Sequence, residues 1–159
     1  MADFLIAVNK TLGYEDGLDD DPDDPGGLTN FGIALNKHPE LTADDIRNMT
    51  RDRAIEIYRT SYWLDLYDQI SSQVLANCLF DFGVTSGPIT ACKKLQAILF
   101  SHTGGVPDGI FGEATLEATN RNTQFYTKEF IVDRLRFYAG LNKPQFLKSW
   151  FTRTIDAML

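Results

Sequence analysis

A glutamate directly before an acidic loop is the part of this sequence best suited to do chemistry. Glu15 follows an apolar stretch with helical periodicity, and the loop after it reads DPDDPGGLTNFGI from Asp21 to Ile33. A carboxylic acid that is shielded from water on one side and open to a cleft on the other keeps its proton near neutral pH. Such an acid can protonate the leaving oxygen of a glycosidic bond. The position predicts a general acid, and a solvent-exposed glutamate at a helix end is the alternative interpretation.

A second carboxylate usually completes such a site, as nucleophile or as base for a water molecule. Asp24 and Asp21 are the candidates, although aspartate before proline is also a common turn device. Thr29 and Asn30 follow them in the loop. Each has a side chain that can hydrogen-bond a carboxylate or water, or cap a helix beginning there. Both interpretations stay open from the residues alone.

Aromatic residues in the middle of the chain could stack against sugar rings. They recur at helical spacing, which is more often the pattern of a core than of a binding surface. We expect one of the five to face a cleft: Tyr58, Tyr62, Trp63, Tyr67 and Phe82.

Other chemistries fit the residues less well. An EF-hand loop counted from Asp19 would need glycine and glutamate where Asp24 and Asn30 stand, so a calcium site of that type is excluded. The two histidines, His38 and His102, are far from either cysteine in sequence, which argues against zinc. No histidine lies near a serine or cysteine in the arrangement of an activated nucleophile. We predict neither a metal nor an organic cofactor.

The elements that position these residues are mainly helical. The first helix is expected to end between Glu15 and Gly17, and the proline and glycine residues after it allow at most a small hairpin. Cap residues and apolar periodicity predict further helix starts at Thr29 or Asn30, Thr42, Thr50, Ser72, Pro88, Gly112, Thr123 and Pro144. The fold class is therefore mainly α, with an irregular acidic loop at the active site.

Composition limits the partners and the compartment. The net charge of −7 on 159 residues argues against nucleic acid, which needs a basic surface. Cys78 and Cys92 lie in apolar helical patterns and are predicted to be buried free thiols. No stretch is apolar enough for membrane insertion, and the N-terminus lacks the features of a signal peptide. We expect synthesis in the cytoplasm and a monomer.

The acidic loop resembles the signature of a known family. The pattern Asp-Pro-x-Asp-Pro-Gly-Gly-x-Thr-Asn-x-Gly-Ile is similar to the signature of the glycoside hydrolase family 108 N-acetylmuramidases, found in phage endolysins and secretion-associated lysozymes. The Ile57-Tyr58-Arg59 and Tyr62-Trp63 segments also resemble the central helix of that family. The resemblance implies a lysozyme-like helical fold, with Glu15 as the catalytic acid. Phage-type muramidases place an aspartate nine residues after the glutamate and a threonine beyond it, positions that Asp24 and Thr29 occupy here.

The second half resembles the predicted peptidoglycan-binding region that follows in these proteins. The residues that carry this resemblance are Phe80-Asp81, Gly87, Leu95-Gln96, Asp108-Gly109, Phe111-Gly112, Thr115-Leu116, Arg134, Phe137-Tyr138 and Trp150. We therefore expect a muramidase lobe at 1–85 and a helical peptidoglycan-binding-like lobe at 86–159, packed as one unit.

The expected function is hydrolysis of the β-1,4 bond between N-acetylmuramic acid and N-acetylglucosamine in bacterial peptidoglycan. We expect the protein to act in the periplasm or outside the cell after release by a holin-like or dedicated export route. The predicted catalytic residues are Glu15, Asp24 and Thr29, and the predicted substrate-binding residues are Asp21, Asn30, Phe31, Tyr62 and Trp63.

Three positions depart from the family pattern. Asp16 and Leu18 replace a glycine and a tyrosine of the signature, and Thr85 stands where an asparagine is usual. A carboxylate at position 16 should raise the proton affinity of Glu15 if the two are close, or repel an anionic substrate. The alternatives are therefore a lytic transglycosylase, a catalytically weak wall-binding or secretion accessory protein, and an inert helical interaction protein.

Overall fold

The computed structural model of this chain describes residues 1–13, 17–19, 27–101 and 104–159. Its helices are α1 (Phe4–Leu12), α2 (Ala43–Arg47), α3 (Arg51–Ser61), α4 (Gln73–Ser86), α5 (Pro88–Leu99), α6 (Glu113–Arg121), α7 (Thr123–Gly140) and α8 (Pro144–Asp156). Short 3-10 helices lie at Leu35–Lys37 and Asp65–Gln69. The strands are β1 (Leu18–Asp19), β2 (Thr29–Asn30) and β3 (Ile33–Ala34). The prediction of a mainly α, lysozyme-like fold is confirmed.

Local cap chemistry explains where most helices begin. Thr42 and Asp45 form a reciprocal capping box at the start of α2, and Thr50 accepts a hydrogen bond from the third residue of α3. Ser72 does the same for α4, and proline occupies the first turn of both α5 and α8. These predicted starts are confirmed to within one residue.

The expectation for residues 29–30 was wrong. Thr29 and Asn30 form a strand of a three-stranded antiparallel sheet in the order β1-β2-β3, not the start of a helix. Asn30 pairs with Ile33, so Phe31 and Gly32 are the central residues of a two-residue turn. Both have positive φ, 49° and 73°, which is the conformation of a type I′ hairpin turn. The small hairpin that the loop was expected to allow is therefore present.

The first helix also ends earlier than predicted. Its last residue is Leu12, and Gly13 caps it with an N–H bonded to the carbonyl of Asn9. Residues 14–16 lie outside the described part of the chain.

Helix α4 forms the centre of the core. Its residues 75–83 are all buried, and it packs against α1, α5 and α7. The buried residues of α4 are apolar apart from Asn77 and Asp81, and a helix of this kind requires an enclosed place. Cys78 in α4 and Cys92 in α5 are buried free thiols, as predicted. Since α4 contacts elements before and after residue 85, the division into lobes at that position stays a prediction.

One buried charge cluster connects four helices. The carboxylate of Asp81 in α4 accepts hydrogen bonds from Arg134 in α7, from Arg153 in α8 at 2.7 Å and from Thr11 in α1 at 3.2 Å. Burial raises the pKa of the Asp81 carboxyl, but the two guanidinium groups outweigh it, so this pKa lies below its ordinary value. The tyrosine hydroxyl of Tyr138 accepts from Arg134 at 3.2 Å.

None of the helices among the described residues has the length and apolar character needed to span a membrane.

Candidate functional site

The structure describes five of the eight predicted site residues. Glu15, Asp21 and Asp24 lie outside the described residues. Thr29, Asn30 and Phe31 lie on β2 and in the turn after it, and Tyr62 and Trp63 follow the end of α3. The hairpin and the end of α3 are therefore the described elements that hold predicted site residues.

The β2–β3 hairpin is anchored by the residues that the sequence predicted to bind or react. Thr29 is half-buried, and its hydroxyl donates a hydrogen bond to the Gly27 carbonyl at 3.1 Å. Asn30 is buried, and its amide nitrogen donates to the Ile46 carbonyl of α2 at 2.9 Å. The Asn30 amide therefore joins the sheet to α2, which is a structural role at a position predicted to contact substrate.

A buried tyrosine anchors the turn through a hydrogen bond. The hydroxyl of Tyr58 donates to the Phe31 carbonyl at 3.0 Å, and the Tyr58 ring is fully buried. Phe31 itself is half-buried and packs against the core. Its positive φ is unusual for a bulky residue, so contacts such as this hydrogen bond hold the strained turn in place.

Of the five candidate aromatic residues, Tyr62 is the one that lines a pocket of the described residues. Tyr58, Trp63, Tyr67 and Phe82 are each no more than 3% exposed, whereas Tyr62 is half-buried. Its ring lies 5.7 Å from that of Tyr58, measured between centroids. It also lines a pocket of about 310 Å³ between the 3-10 helix Leu35–Lys37 and the end of α4.

Trp63 occupies the core rather than the pocket. Its indole nitrogen donates to a carboxylate oxygen of Asp68 at 3.0 Å, and its ring packs edge-on against Phe4, Tyr67 and Phe80. A ring enclosed in this way presents no face to a sugar in this structure. Its predicted contact with substrate therefore gains no support from its position.

A short hydrogen-bonded chain orients the Tyr62 hydroxyl. It lies 3.2 Å from Nε2 of His38, and Nδ1 of His38 lies 2.9 Å from Glu40. Burial, and then the negative charge of Glu40, raises the pKa of Tyr62, so the phenol keeps its proton. The consistent assignment is that Tyr62 donates to Nε2 while Nδ1–H donates to the Glu40 carboxylate.

Sequence reasoning missed His38, Glu40 and Lys37. It considered His38 only as a zinc ligand or as the base of an activated nucleophile, and the partner that orients its ring, Glu40, is two residues away. The spacing of His38 and Glu40 was visible in the sequence, but the contact with Tyr62 depends on how α3 packs. Within the described ranges, no group of three or more histidine, cysteine, aspartate or glutamate side chains could hold a metal ion.

Comparison with known proteins covers both the site and the whole fold. Residues 8–87 match the family described as Glycosyl hydrolase 108, which is about half of the chain and includes every predicted site residue. The solved structure of Brucella abortus SagA is similar with a TM-score of 0.83 and 29% sequence identity, covering 98% of this chain and 91% of that chain. None of the curated proteins compared with this chain matches it.

Proposed function

This chain belongs to the glycosyl hydrolase 108 family, which makes it a glycoside hydrolase of the muramidase type, and we propose that it cleaves the β-1,4 bond between N-acetylmuramic acid and N-acetylglucosamine in peptidoglycan. The observation that carries the proposal is the family match over residues 8–87, because that segment contains Glu15 and the whole acidic loop.

The proposed mechanism assigns the acid to Glu15. Glu15 protonates the oxygen of the leaving sugar, and Asp24 stabilises the developing oxocarbenium charge or orients the attacking water. Thr29 assists through its hydroxyl, which lies on β2 beside the loop. Half-buried Thr29 and the anchored turn after it support a preorganised site, since a rigid strand holds a polar group better than a loose loop.

The second half of the chain is proposed to bind the same polymer. We propose that the region 86–159 contributes to peptidoglycan binding and that the protein acts on the cell wall in the periplasm or outside the cell. A holin-like or dedicated export route would bring it there. These assignments rest on the family resemblance of the second half and on where the substrate lies.

A second candidate is a wall-binding accessory protein with weak catalysis. It is favoured by Leu18, which replaces the tyrosine of the family signature and is 52% exposed on β1. It is also favoured by Asp16, whose charge would oppose an anionic polymer. Glu15 argues for the enzyme, because a protein that only binds has no need of it.

Clearing of purified sacculi separates the two candidates. Wild type should lower the turbidity, and Glu15→Gln should do so about 10²- to 10⁴-fold more slowly, the range that a general acid contributes. Glu113→Gln removes the same charge from an exposed helix start and should clear at the wild-type rate. Wild type that pellets with the walls without clearing them would favour the accessory protein. Equal rates for Glu15→Gln and wild type would remove Glu15 as the acid.

A further inference from the structure

We propose that the pocket beside Tyr62 binds a carboxylate of the substrate and that Lys37 supplies the positive charge for it. The inference rests on the proposed function, because it names which group of the glycan this part of the site recognises. We call this cavity the Lys37 pocket. It is lined by Lys37, Tyr62, Gly83, Val84, Thr85, Ser86 and Gly87.

The described lining of the Lys37 pocket carries a charge opposite to that of the protein. Lys37 is the single charged residue among the described residues that line it, whereas the net charge of the chain is −7. Lys37 is exposed and forms no ion pair with another residue of the described ranges. An ammonium group without an internal partner can bind an external anion without first breaking an ion pair.

Glu40, an acid three residues after Lys37, already has a hydrogen-bond partner. Glu40 accepts from His38 at 2.9 Å, and hydrogen bonds from its backbone and from His38 lower the pKa of its carboxyl. Glu40 lines a different pocket, together with Asp44 and Asp45. Among the described residues, these three acids therefore line a pocket other than the Lys37 pocket.

The other walls of the Lys37 pocket suit a sugar or an amide that carries a carboxylate. Tyr62 offers part of a ring, and Ser86 offers a half-buried hydroxyl. The Thr85 hydroxyl is hydrogen-bonded to the Tyr138 hydroxyl at 2.6 Å, which fixes the Thr85 side chain in the wall of the pocket. Gly87, another lining residue, has a φ of 89°, a conformation that disfavours any side chain there.

The Lys37 pocket is connected to the turn of the family signature. The Phe31 carbonyl accepts a hydrogen bond from the Tyr58 hydroxyl. The centroids of the Tyr58 and Tyr62 rings lie 5.7 Å apart. Lys37 itself ends the 3-10 helix that directly follows β3. A glycan lying along the hairpin would therefore place a substituent beside Lys37.

The chemistry of the substrate limits the ligand to two sources. N-acetylmuramic acid carries a lactyl group, whose carboxylate is either free or joined to a stem peptide that has carboxylates of its own. N-acetylglucosamine carries neither. The Lys37 pocket thus distinguishes muramic-acid-containing glycans from plain N-acetylglucosamine polymers.

Calorimetric binding with three probes tests this assignment and does not require turnover. The probes are N-acetylglucosaminyl-N-acetylmuramic acid with a free lactyl carboxylate, the same disaccharide bearing a stem tripeptide, and tri-N-acetylchitotriose. Lys37→Met should weaken binding of at least one carboxylate probe roughly three- to tenfold, the effect of losing one charged contact. Its affinity for chitotriose should equal that of wild type, and Lys37→Arg should restore most of the lost affinity.

Lys10→Met is the matched control, because it removes the same charge from a lysine of α1 that does not line the Lys37 pocket and whose Nζ donates to the Asp156 carbonyl at 3.4 Å. It should bind all three probes like wild type. A loss with the free lactyl probe alone identifies the lactyl group, and a loss with the tripeptide probe alone identifies the stem peptide. Equal affinities of Lys37→Met and wild type for every probe would overturn the inference. The proposed function would still stand if such a variant cleared sacculi.

Discussion

The roles proposed for individual residues depend on placing two carboxylates with different proton affinities in one site. Glu15 must hold its proton, while Asp24 must be ionised when positive charge develops on the sugar. Asp16 adds a third carboxyl at the position after Glu15 in the sequence, and a nearby negative charge raises the pKa of an acid. The departure at Asp16 therefore favours a protonated Glu15, provided that the two side chains are close.

Asp24→Asn tests the second carboxylate. We expect the rate of sacculus clearing to fall about 10²- to 10³-fold, as when an electrostatic stabiliser of a transition state is removed. The melting temperature should stay within the range of surface variants, because a chemical role does not require a contribution to folding. The matched change Asp65→Asn, at an exposed position of a 3-10 helix, should leave the rate unchanged. A wild-type rate for Asp24→Asn would exclude it from the mechanism.

Among the secondary-structure elements, the β2–β3 hairpin positions three of the predicted site residues. The helix starts were predictable because a capping residue and the turn it caps are adjacent in sequence. A small hairpin was allowed for, but its position at residues 29–34 was missed because its type I′ turn places a phenylalanine, Phe31, at positive φ, which sequence propensity disfavours. The buried Tyr58 hydroxyl contributes to holding it there, and that contact joins positions 27 residues apart.

Gly27 offers a stability test of the same loop. Its φ is 69° and no atom lies within 4 Å of an added Cβ, so Gly27→Ala is disfavoured by backbone strain alone. We expect a loss of about 1–2 kcal/mol in the free energy of unfolding, measured with urea. Gly140→Ala, in helix α7 and also in open space, should instead stabilise by up to about 1 kcal/mol. Destabilisation of similar size in both variants would contradict this conformational account.

At the scale of the whole molecule, Asp81 joins the first helix to the last two. The sequence marked Asp81 and Arg134 as family positions, but nothing local predicts that they pair across 53 positions, or that Arg153 joins them across 72. Such contacts follow from packing of the complete fold. The candidate site could be proposed from the sequence because its signature lies within one short segment of the chain, and its catalytic residues stay predictions.

The Asp81 cluster makes stability depend on acid pH. The folded-state pKa of Asp81 lies below its ordinary value of about 3.9, so its contribution is complete above that pH and is lost as pH falls through the folded pKa. Asp81→Asn leaves two buried guanidinium groups without their anion and should cost about 3–5 kcal/mol at pH 7. Thermal melts from pH 7 to pH 2 should show the difference from wild type shrinking at the acid end. A difference that stays constant over this range would show that Asp81 is not ionised in the folded protein.

Mass spectrometry of the fragments released from purified sacculi tests the proposed reaction most directly. After reduction with borohydride, the account predicts disaccharide fragments that end in reduced N-acetylmuramic acid and contain the added water. Fragments ending in reduced N-acetylglucosamine would contradict the bond assigned here. Anhydro-muramic acid ends, lighter by one water, would show a lytic transglycosylase instead of a hydrolase.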